Sequence, residues 1–171
     1  MKAYSQSKTP EGEGDKRQTP KFVIDRILTL INMPIVHDVC AEPHTSKAYS
    51  FWTAEDDALT KDWREPLIGG GSMPKALYLN PPYSDLAPWV KKAWEASRNG
   101  VIVVGCLPDD RSVGWYQQYV EDKAPIIYVP DRRISFEDAD GTPQRGNPKG
   151  TVFPVWMPFY CDKSCYVRFK L

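Results

Sequence analysis

The sequence predicts an α/β protein in which a mixed, mostly parallel β-sheet is flanked by helices. Apolar segments of strand length alternate along the chain with segments whose apolar residues recur at helical spacing. One strand segment, residues 101–106, is apolar throughout, which is typical of a strand covered on both faces. The length of 171 residues favours one domain, which we assign to residues 19–171, after a flexible polar tail at residues 1–18.

The first helix is predicted to begin at a Thr-Pro pair. Thr19 is suited to the N-cap and Pro20 to the first helical position. Residues 22–31 then carry apolar side chains at helical spacing, and residues 32–34 end the helix. Two further helices are predicted, one marked by residues 89–94 and ended by Asn99-Gly100, the other at residues 113–120.

The predicted strands end at polar residues. The strands are expected at residues 34–38, 50–53, 76–79, 101–106, 125–129 and 151–157, and residues 137–149 are expected to form a long surface loop. Asp38 ends the first strand, and Asn80 follows the third, where two prolines stop the ladder. Because ligands of open α/β sheets bind beyond the carboxyl ends of the strands, both residues are candidates for the ligand site.

The charge balance excludes a strongly cationic nucleic-acid binder. The chain carries 22 Lys+Arg against 22 Asp+Glu, so any contact with nucleic acid must be local. No apolar run approaches the roughly 20 residues of a membrane-spanning helix, and no membrane contact is expected. The four cysteines do not form a disulfide framework, which favours a reducing cytoplasm. Cys161 and Cys165 have no second Cys/His pair near them, so no metal site is expected.

The tetrapeptide Asn80-Pro81-Pro82-Tyr83 is the most specific chemical signal in the sequence. The two prolines stiffen the turn, so that the Asn80 side-chain oxygen and the turn carbonyls are presented together as acceptors. Two such acceptors can hold both N–H groups of an exocyclic amine, and Tyr83 offers a flat face for the attached base.

This arrangement suits an amine whose lone pair is delocalised into an aromatic ring. Holding both N–H groups out of the ring plane returns the lone pair to nitrogen. With a sulfonium methyl in line about 3 Å away, preorganised geometry provides most of the acceleration and needs little help from a titrating base. Neither histidine then has to take part.

Here the chain resembles the S-adenosylmethionine-dependent amino-methyltransferases, most closely the short phage-type, Dam-like DNA adenine-N6 methyltransferases. The resemblance covers roughly residues 19–156. Its elements, in chain order, are Thr19-Pro20, Asp38-Val39-Cys40-Ala41, the segment 53–63 from Thr53 through Asp56-Asp57 to Trp63, Asn80-Pro81-Pro82-Tyr83-Ser84, Leu107-Pro108 with Trp115, and residues 133–136.

The resemblance implies a reduced Rossmann-like class I methyltransferase fold that binds S-adenosylmethionine. It implies a catalytic turn at Asn80, Pro81, Pro82 and Tyr83. The cofactor contacts that it implies are Thr19, Pro20, Asp38, Cys40, Ala41, Asp57 and Asn80, with Thr19-Pro20 at the methionine carboxylate. The candidate DNA contacts are Ser84, Arg111, Arg132 and Arg133.

The chain departs from the family pattern at several positions. The glycine-rich loop of most S-adenosylmethionine folds is missing after Asp38, so the cofactor expectation rests on Asp38, Ala41 and Asp57. The chain has Thr45 where family members tend to carry Asn, and Asp109-Asp110-Arg111 where they usually carry Ala-Arg-Thr.

The predicted function is methyl transfer to the N6 amine of a flipped adenine in DNA. The chain has no room for a separate domain that recognises the target DNA sequence. Recognition is therefore expected from residues 64–72, 109–114 or 137–149, and a homodimer would add a second subunit to it. Methylation of cytosine N4 or of a protein glutamine is the alternative reaction. A catalytically silent nucleic-acid-binding protein of the same fold is the alternative of another class. A phage-encoded member would act in the cytoplasm of its host cell.

Overall fold

The computed structural model describes residues 17–69, 71–138, 140–144 and 149–171. In these residues it has three α-helices, which are α1 (Lys21–Ile31), α2 (Leu86–Arg98) and α3 (Gly114–Tyr119). The strands are β1 (Ile35–Asp38), β2 (Ser50–Phe51), β3 (Ala76–Leu79), β4 (Ile102–Gly105), β5 (Leu107–Pro108), β6 (Ile126–Pro130), β7 (Thr151–Trp156) and β8 (Cys165–Phe169). Two short 3₁₀ turns lie at Ala54–Asp56 and Glu65–Leu67.

The strands form one mixed sheet in the order β2-β1-β3-β4-β7-β6-β8, with β5 paired to β7. Strand β7 is antiparallel to β4, β5 and β6, and the remaining pairs are parallel. All strands except β7 therefore point the same way. The prediction of a mixed, mostly parallel sheet flanked by helices is confirmed.

The chain reverses its direction of travel across the sheet between β1 and β3. From β1 it moves outward to β2 and then returns to β3 on the other side of β1. Such a switch point leaves a crevice beyond the carboxyl ends of the two central strands. Asp38 ends β1 and Asn80 follows β3, so both lie at this crevice.

Helices cover both faces of the sheet and create two apolar layers. On one face, α1 packs Val23 and Ile27 against Tyr78 of β3 and Val104 of β4. The other face is covered by α2 and α3, whose buried residues include Val90, Ala93, Tyr116 and Val120. Alternate residues of β3 pack into the two layers. Leu77 and Leu79 face α2, whereas Tyr78 packs on the side of α1.

The structure corrects the predicted start of α1. Pro20 occupies the N-cap and makes no side-chain capping bond, and the first helical residue is Lys21. Thr19 is not the N-cap, because its hydroxyl is buried against Tyr78. Strands β5 and β8 were not predicted, and α3 is two residues shorter than the predicted segment 113–120.

The N-terminal end of the chain lies mostly outside the described residues. The tail predicted at residues 1–18 is described only at Arg17 and Gln18, and Gln18 forms an antiparallel bridge with Glu137. In the part of the chain that the structure covers, no helix has the length and apolar character that crossing a membrane requires.

Candidate active site

A cavity of about 290 Å³ opens at the crevice between β1 and β3. It is bounded by the end of β1, the loop that leads to β2, the turn after Thr53, the turn after β3 and the segment before α1. Its lining residues are Arg17, Gln18, Asp38, Cys40, Ala41, Glu42, Thr45, Lys47, Thr53, Ala54, Asp57, Ala58, Tyr78, Asn80, Pro82 and Trp89. Charged and amide groups therefore share this cavity with two aromatic side chains, Tyr78 and Trp89.

Asp38 organises the loop that forms one wall of the cavity. Its Oδ1 accepts the backbone N–H of Cys40 at 3.2 Å, and its Oδ2 accepts that of Lys47 at 3.0 Å. Burial raises the pKa of the Asp38 carboxyl to about 7, although these two bonds and the Lys47 charge favour the ionised form. Two carboxylate bonds thus shape a loop that has no glycine-rich sequence.

In the 3₁₀ turn at Ala54–Asp56, the neighbouring acids Asp56 and Asp57 have different surroundings. The Asp56 carboxylate accepts the Thr53 backbone N–H at 2.8 Å and the Thr53 hydroxyl at 3.0 Å, and this capping lowers the Asp56 pKa. Asp57 follows in a left-handed conformation (φ 48°) and lines the cavity. Among the described residues, no hydrogen bond engages the Asp57 carboxylate.

The Asn-Pro-Pro-Tyr turn begins on the cavity wall and ends inside the protein. Asn80 and Pro82 line the cavity, whereas Pro81 is buried. The Asn80 Nδ2 donates to the Arg17 carbonyl at 3.5 Å, which orients the amide and leaves Oδ1 to act as an acceptor. The Pro82 carbonyl accepts the Asp85 N–H at 3.4 Å just before α2 begins.

Tyr83 lies beside the cavity rather than on its wall. Its ring meets Phe136 edge to face, with centroids 6.2 Å apart, and its hydroxyl donates to the Cys106 carbonyl at 3.5 Å. Phe136 closes the Arg-x-x-Phe element at residues 133–136, so the fold brings two of the family-like elements into contact. The Tyr83 ring is half-buried.

A buried polar cluster supports the turn from below. The Thr19 hydroxyl is 2.9 Å from the Tyr78 hydroxyl and donates to the Cys106 Sγ at 3.5 Å. Burial raises the pKa of the Cys106 thiol to about 11, which keeps it neutral. Thr19 and Pro20 are buried and absent from the cavity wall, so the structure separates them from the other predicted cofactor residues.

Neither histidine lines the cavity. His37 is buried in β1, with its Nδ1 2.8 Å from the Ser50 hydroxyl and its ring edge to face with Trp52 at 4.4 Å. Burial lowers the His37 pKa to about 4, so the ring is neutral near pH 7. His44 is exposed.

The predicted DNA contacts are exposed and dispersed. Ser84 follows the Asn-Pro-Pro-Tyr turn, and Arg132 and Arg133 follow the carboxyl end of β6. Arg132 donates to the Leu171 carbonyl at 2.9 Å. Arg111 is paired with Asp109 at 3.1 Å and lies over the Tyr166 ring, 4.2 Å from its centroid. These side chains follow the carboxyl ends of strands, at the same sheet edge as Asn80.

The cavity brings together six of the predicted site residues, namely Asp38, Cys40, Ala41, Asp57, Asn80 and Pro82. It also contains residues that no motif indicated, above all Lys47, Trp89 and the Arg17-Gln18 segment. The sequence predicted Trp89 only as a residue of the helix that follows the Asn-Pro-Pro-Tyr turn. Lys47 carried no sequence signal, because its place depends on how the loop folds over Asp38.

Comparison with known proteins identifies the family. The family model described as DNA N-6-adenine-methyltransferase (Dam) matches residues 6–168. The DNA N-6-adenine-methyltransferase of Haemophilus phage HP1 (strain HP1c1) is 30% identical over 168 residues, which are 95% of this chain and 92% of that protein. The enzyme of the same name from Escherichia phage T1 is 28% identical over 138 residues, or 81% of this chain and 53% of that protein.

A bacterial relative is also similar over part of the chain. The putative methyltransferase YfdM of Escherichia coli (strain K12) is 37% identical over 76 residues, which cover 44% of this chain and 75% of that protein. The family model spans most of the sequence, and the match to the HP1 protein extends over nearly its full length. The chain therefore belongs to the DNA N-6-adenine-methyltransferase (Dam) family.

Proposed function

We propose that this chain transfers a methyl group from S-adenosylmethionine to the exocyclic N6 amine of adenine in DNA. Family membership supports an adenine-specific DNA methyltransferase. The observation that carries the proposal is the shared cavity of Asp38 and Asn80 at the switch point of the sheet. This crevice is where open α/β sheets bind their ligands.

The side chains of the cavity fit the proposed cofactor. S-adenosylmethionine, when bound, supplies an electrophilic methyl group on a sulfonium centre. The free Asp57 carboxylate is suited to accept hydrogen bonds from ribose hydroxyls, and Cys40 and Ala41 provide a narrow wall beside it. Lys47 and Trp89 add a cation and an aromatic surface to the same cavity.

The catalytic turn activates the amine by geometry. The Asn80 Oδ1 and the Pro81 carbonyl accept the two N–H groups and hold them out of the plane of the base, which returns the lone pair to nitrogen. In the transfer the N–C bond would form as the methyl–sulfur bond breaks, with the neutral thioether S-adenosylhomocysteine as the leaving group. The nitrogen becomes cationic, and these acceptors stabilise the developing charge. The surplus proton is then lost from the nitrogen to water. This scheme requires no histidine, in keeping with a cavity wall that has none.

A base inside a duplex cannot reach this cavity, so the adenine is proposed to be flipped out of the stack. Tyr83 is proposed to stack on the flipped base, and Ser84, Arg111, Arg132 and Arg133 to contact the phosphates. Of the segments proposed to read sequence, residues 109–114 and the described part of 137–149 follow carboxyl ends of strands, on the side of Asn80, while residues 139 and 145–148 lie outside the described residues. Residues 64–72 lead towards the amino end of β3, the opposite edge of the sheet.

The test is product identification with the purified chain. DNA is incubated with S-adenosylmethionine labelled in its methyl group, digested to nucleosides and separated. The proposal predicts label in N6-methyladenine. Label in N4-methylcytosine, or in glutamine of added protein but not in DNA, would assign the alternative reactions. Absence of cofactor binding would indicate the catalytically silent alternative.

A further inference from the structure

Lys47 is a half-buried cation on the cavity wall, and among the described residues it forms no ion pair with a carboxylate. Its Nζ donates to the Gln18 Oε1 at 2.8 Å, which is an uncharged amide oxygen. The ion pairs of the described residues do not include Lys47. Burial lowers the Lys47 pKa, and the neighbouring acids Asp38 and Glu137 only partly oppose this. A partly desolvated ammonium gains most from an anion brought by a ligand.

The position of the ammonium is fixed at both ends of the side chain. At its base, the Lys47 N–H is bonded to Asp38, whose second oxygen is bonded to Cys40. The Asp38 carboxyl is therefore engaged by the backbone, and although its charge attracts the Lys47 ammonium, the ion pairs of the described residues include none between the two. At its tip, the Lys47 Nζ is held by Gln18.

Gln18 is itself held rigidly by the segment that follows β6. Its N–H donates to the Glu137 carbonyl at 2.8 Å, and its carbonyl accepts the Glu137 N–H at 3.0 Å. The Gln18 Nε2 donates to the Asp138 carbonyl at 3.0 Å. The ammonium is thus preorganised in the cavity, so little conformational entropy is lost when an anion binds.

We propose that the Lys47 ammonium binds the carboxylate of the methionine moiety of S-adenosylmethionine and that Gln18 is its positioning residue. The inference rests on the proposed function, and it moves this role from Thr19-Pro20 to Lys47, because the Thr19 hydroxyl is buried against Tyr78. A DNA phosphate is the other anion available to a methyltransferase. The cavity favours the cofactor, because Lys47 shares it with Asp57 and Ala41 and is half-buried, whereas phosphates are met by exposed cations.

The test measures binding by calorimetry for two ligands that differ only in the carboxylate, S-adenosylmethionine and decarboxylated S-adenosylmethionine. The wild type is expected to prefer the first. In Lys47→Met, the affinity for S-adenosylmethionine is expected to fall about 10- to 100-fold, the usual effect of one charged hydrogen bond, while that for the decarboxylated ligand is unchanged. Lys123→Met, at an exposed lysine outside the cavity, is the matched control and should change neither affinity.

Gln18→Glu tests the positioning role without removing the lysine. The new carboxylate pairs with Lys47 and competes with that of the ligand, so S-adenosylmethionine should bind more weakly than it does to Gln18→Leu. Binding of the decarboxylated ligand should not weaken. A purely structural role for Gln18 predicts equal losses for both ligands. This variant also provides the decisive comparison if Lys47→Met does not fold.

The outcomes separate the inference from the function on which it rests. If the wild type binds S-adenosylmethionine and Lys47→Met retains the same preference for the carboxylate, the inference is overturned and the proposed function remains. If Lys47→Met instead loses affinity for DNA alone, Lys47 binds phosphate and the inference is again overturned. If the wild type binds neither ligand, the proposed function fails together with the inference.

Discussion

Asp38 of β1 is paired in register with Tyr78 of β3. The Val39 N–H donates to the Tyr78 carbonyl at 3.0 Å, so the two chains remain joined where they leave the sheet. Asn80, two residues after Tyr78, therefore opens onto the same cavity as Asp38. Strand pairing thus sets the spacing between the loop that Asp38 organises and the amide that is proposed to hold the substrate.

Removal of the Thr19 hydroxyl should destabilise the fold without unfolding it. Thr19→Val keeps the shape of the side chain but deprives the buried Tyr78 hydroxyl of its partner at 2.9 Å. The free energy of unfolding should fall by about 1–3 kcal/mol, the usual cost of an unsatisfied buried group. Urea denaturation followed by circular dichroism measures this change.

The double variant Thr19→Val/Tyr78→Phe is the control for that prediction. It removes both hydroxyls, so neither is left without the other, and although the Cys106 thiol loses the weak bond from Thr19 in both variants, the double variant should be more stable than Thr19→Val alone. Equal or greater destabilisation in the double variant would show that the two hydroxyls are not coupled.

The Tyr83 ring, rather than its hydroxyl, should matter for activity. Tyr83→Phe loses the long 3.5 Å bond to the Cys106 carbonyl and keeps the contact with Phe136. Its stability should fall by no more than about 1 kcal/mol, and its methylation rate should be nearly normal. Tyr83→Ala should lower kcat/KM about 10- to 100-fold, the usual effect of losing one stacked base.

Steady-state methylation of DNA by folded variants checks the prediction on Tyr83. Thermal unfolding identifies any loss that comes from the packing with Phe136. A Tyr83→Ala enzyme with normal kcat/KM would exclude stacking of the target base on this ring.

His37 and Asp38 should give stability opposite dependences on pH. Burial raises the Asp38 pKa from 3.8 to about 7, so the folded state holds a proton that the unfolded state releases, and stability falls as pH rises from about 4 to about 7. The His37 pKa is lowered from 6.5 to about 4, so the unfolded state takes up a proton first, and stability rises as pH rises over about 4 to 6.5.

Single substitutions should therefore reveal the two effects that partly cancel in the wild type. In Asp38→Asn the free energy of unfolding should rise between pH 4 and pH 6.5, and in His37→Asn it should fall between pH 4 and pH 7. Denaturant titrations across this range provide the measurement. Parallel pH profiles for the two variants would contradict these ionisation states.

Arg133 should contribute to DNA affinity through charge. It is exposed beyond the carboxyl end of β6, so Arg133→Ala should weaken binding to all DNA sequences alike and reduce the slope of log affinity against log salt by about 1. Arg98→Ala, at the exposed end of α2 on the opposite edge of the sheet, is the matched control. An unchanged slope for Arg133→Ala, measured by fluorescence anisotropy, would remove Arg133 from the DNA interface.

Local sequence patterns predicted the elements that local forces determine. Strand β3 occurs at the predicted residues because its four apolar residues end at a pair of prolines. Helix α2 ends where Asn99-Gly100 predicted, and Gly100 adopts a left-handed conformation (φ 93°). The position of Asp57 on the cavity also followed from its place after Asp56 in an acidic turn.

Features that depend on tertiary contacts were missed or predicted wrongly. Thr19 is a residue type preferred at the N-cap, and it stands directly before a proline. Its hydroxyl is nevertheless buried against Tyr78, which lies 59 positions away, and this tertiary contact overrides the N-cap preference. Strand β8 is a short, half-exposed edge strand that pairs with β6, and its exposure pattern does not alternate regularly, so it leaves little periodic signal in the sequence. Lys47 enters the site only because its N–H is bonded to Asp38.

The most direct test of the central claim compares the wild type with Asn80→Ala on the same DNA. Among the described residues, the Asn80 side chain donates one long bond of 3.5 Å, so the variant should fold normally and bind S-adenosylmethionine with an affinity within about tenfold of the wild type. We predict that the wild type forms N6-methyladenine and that Asn80→Ala loses at least about 100-fold in rate, as when one key transition-state contact is removed. Formation of N6-methyladenine by Asn80→Ala at the wild-type rate would contradict the account.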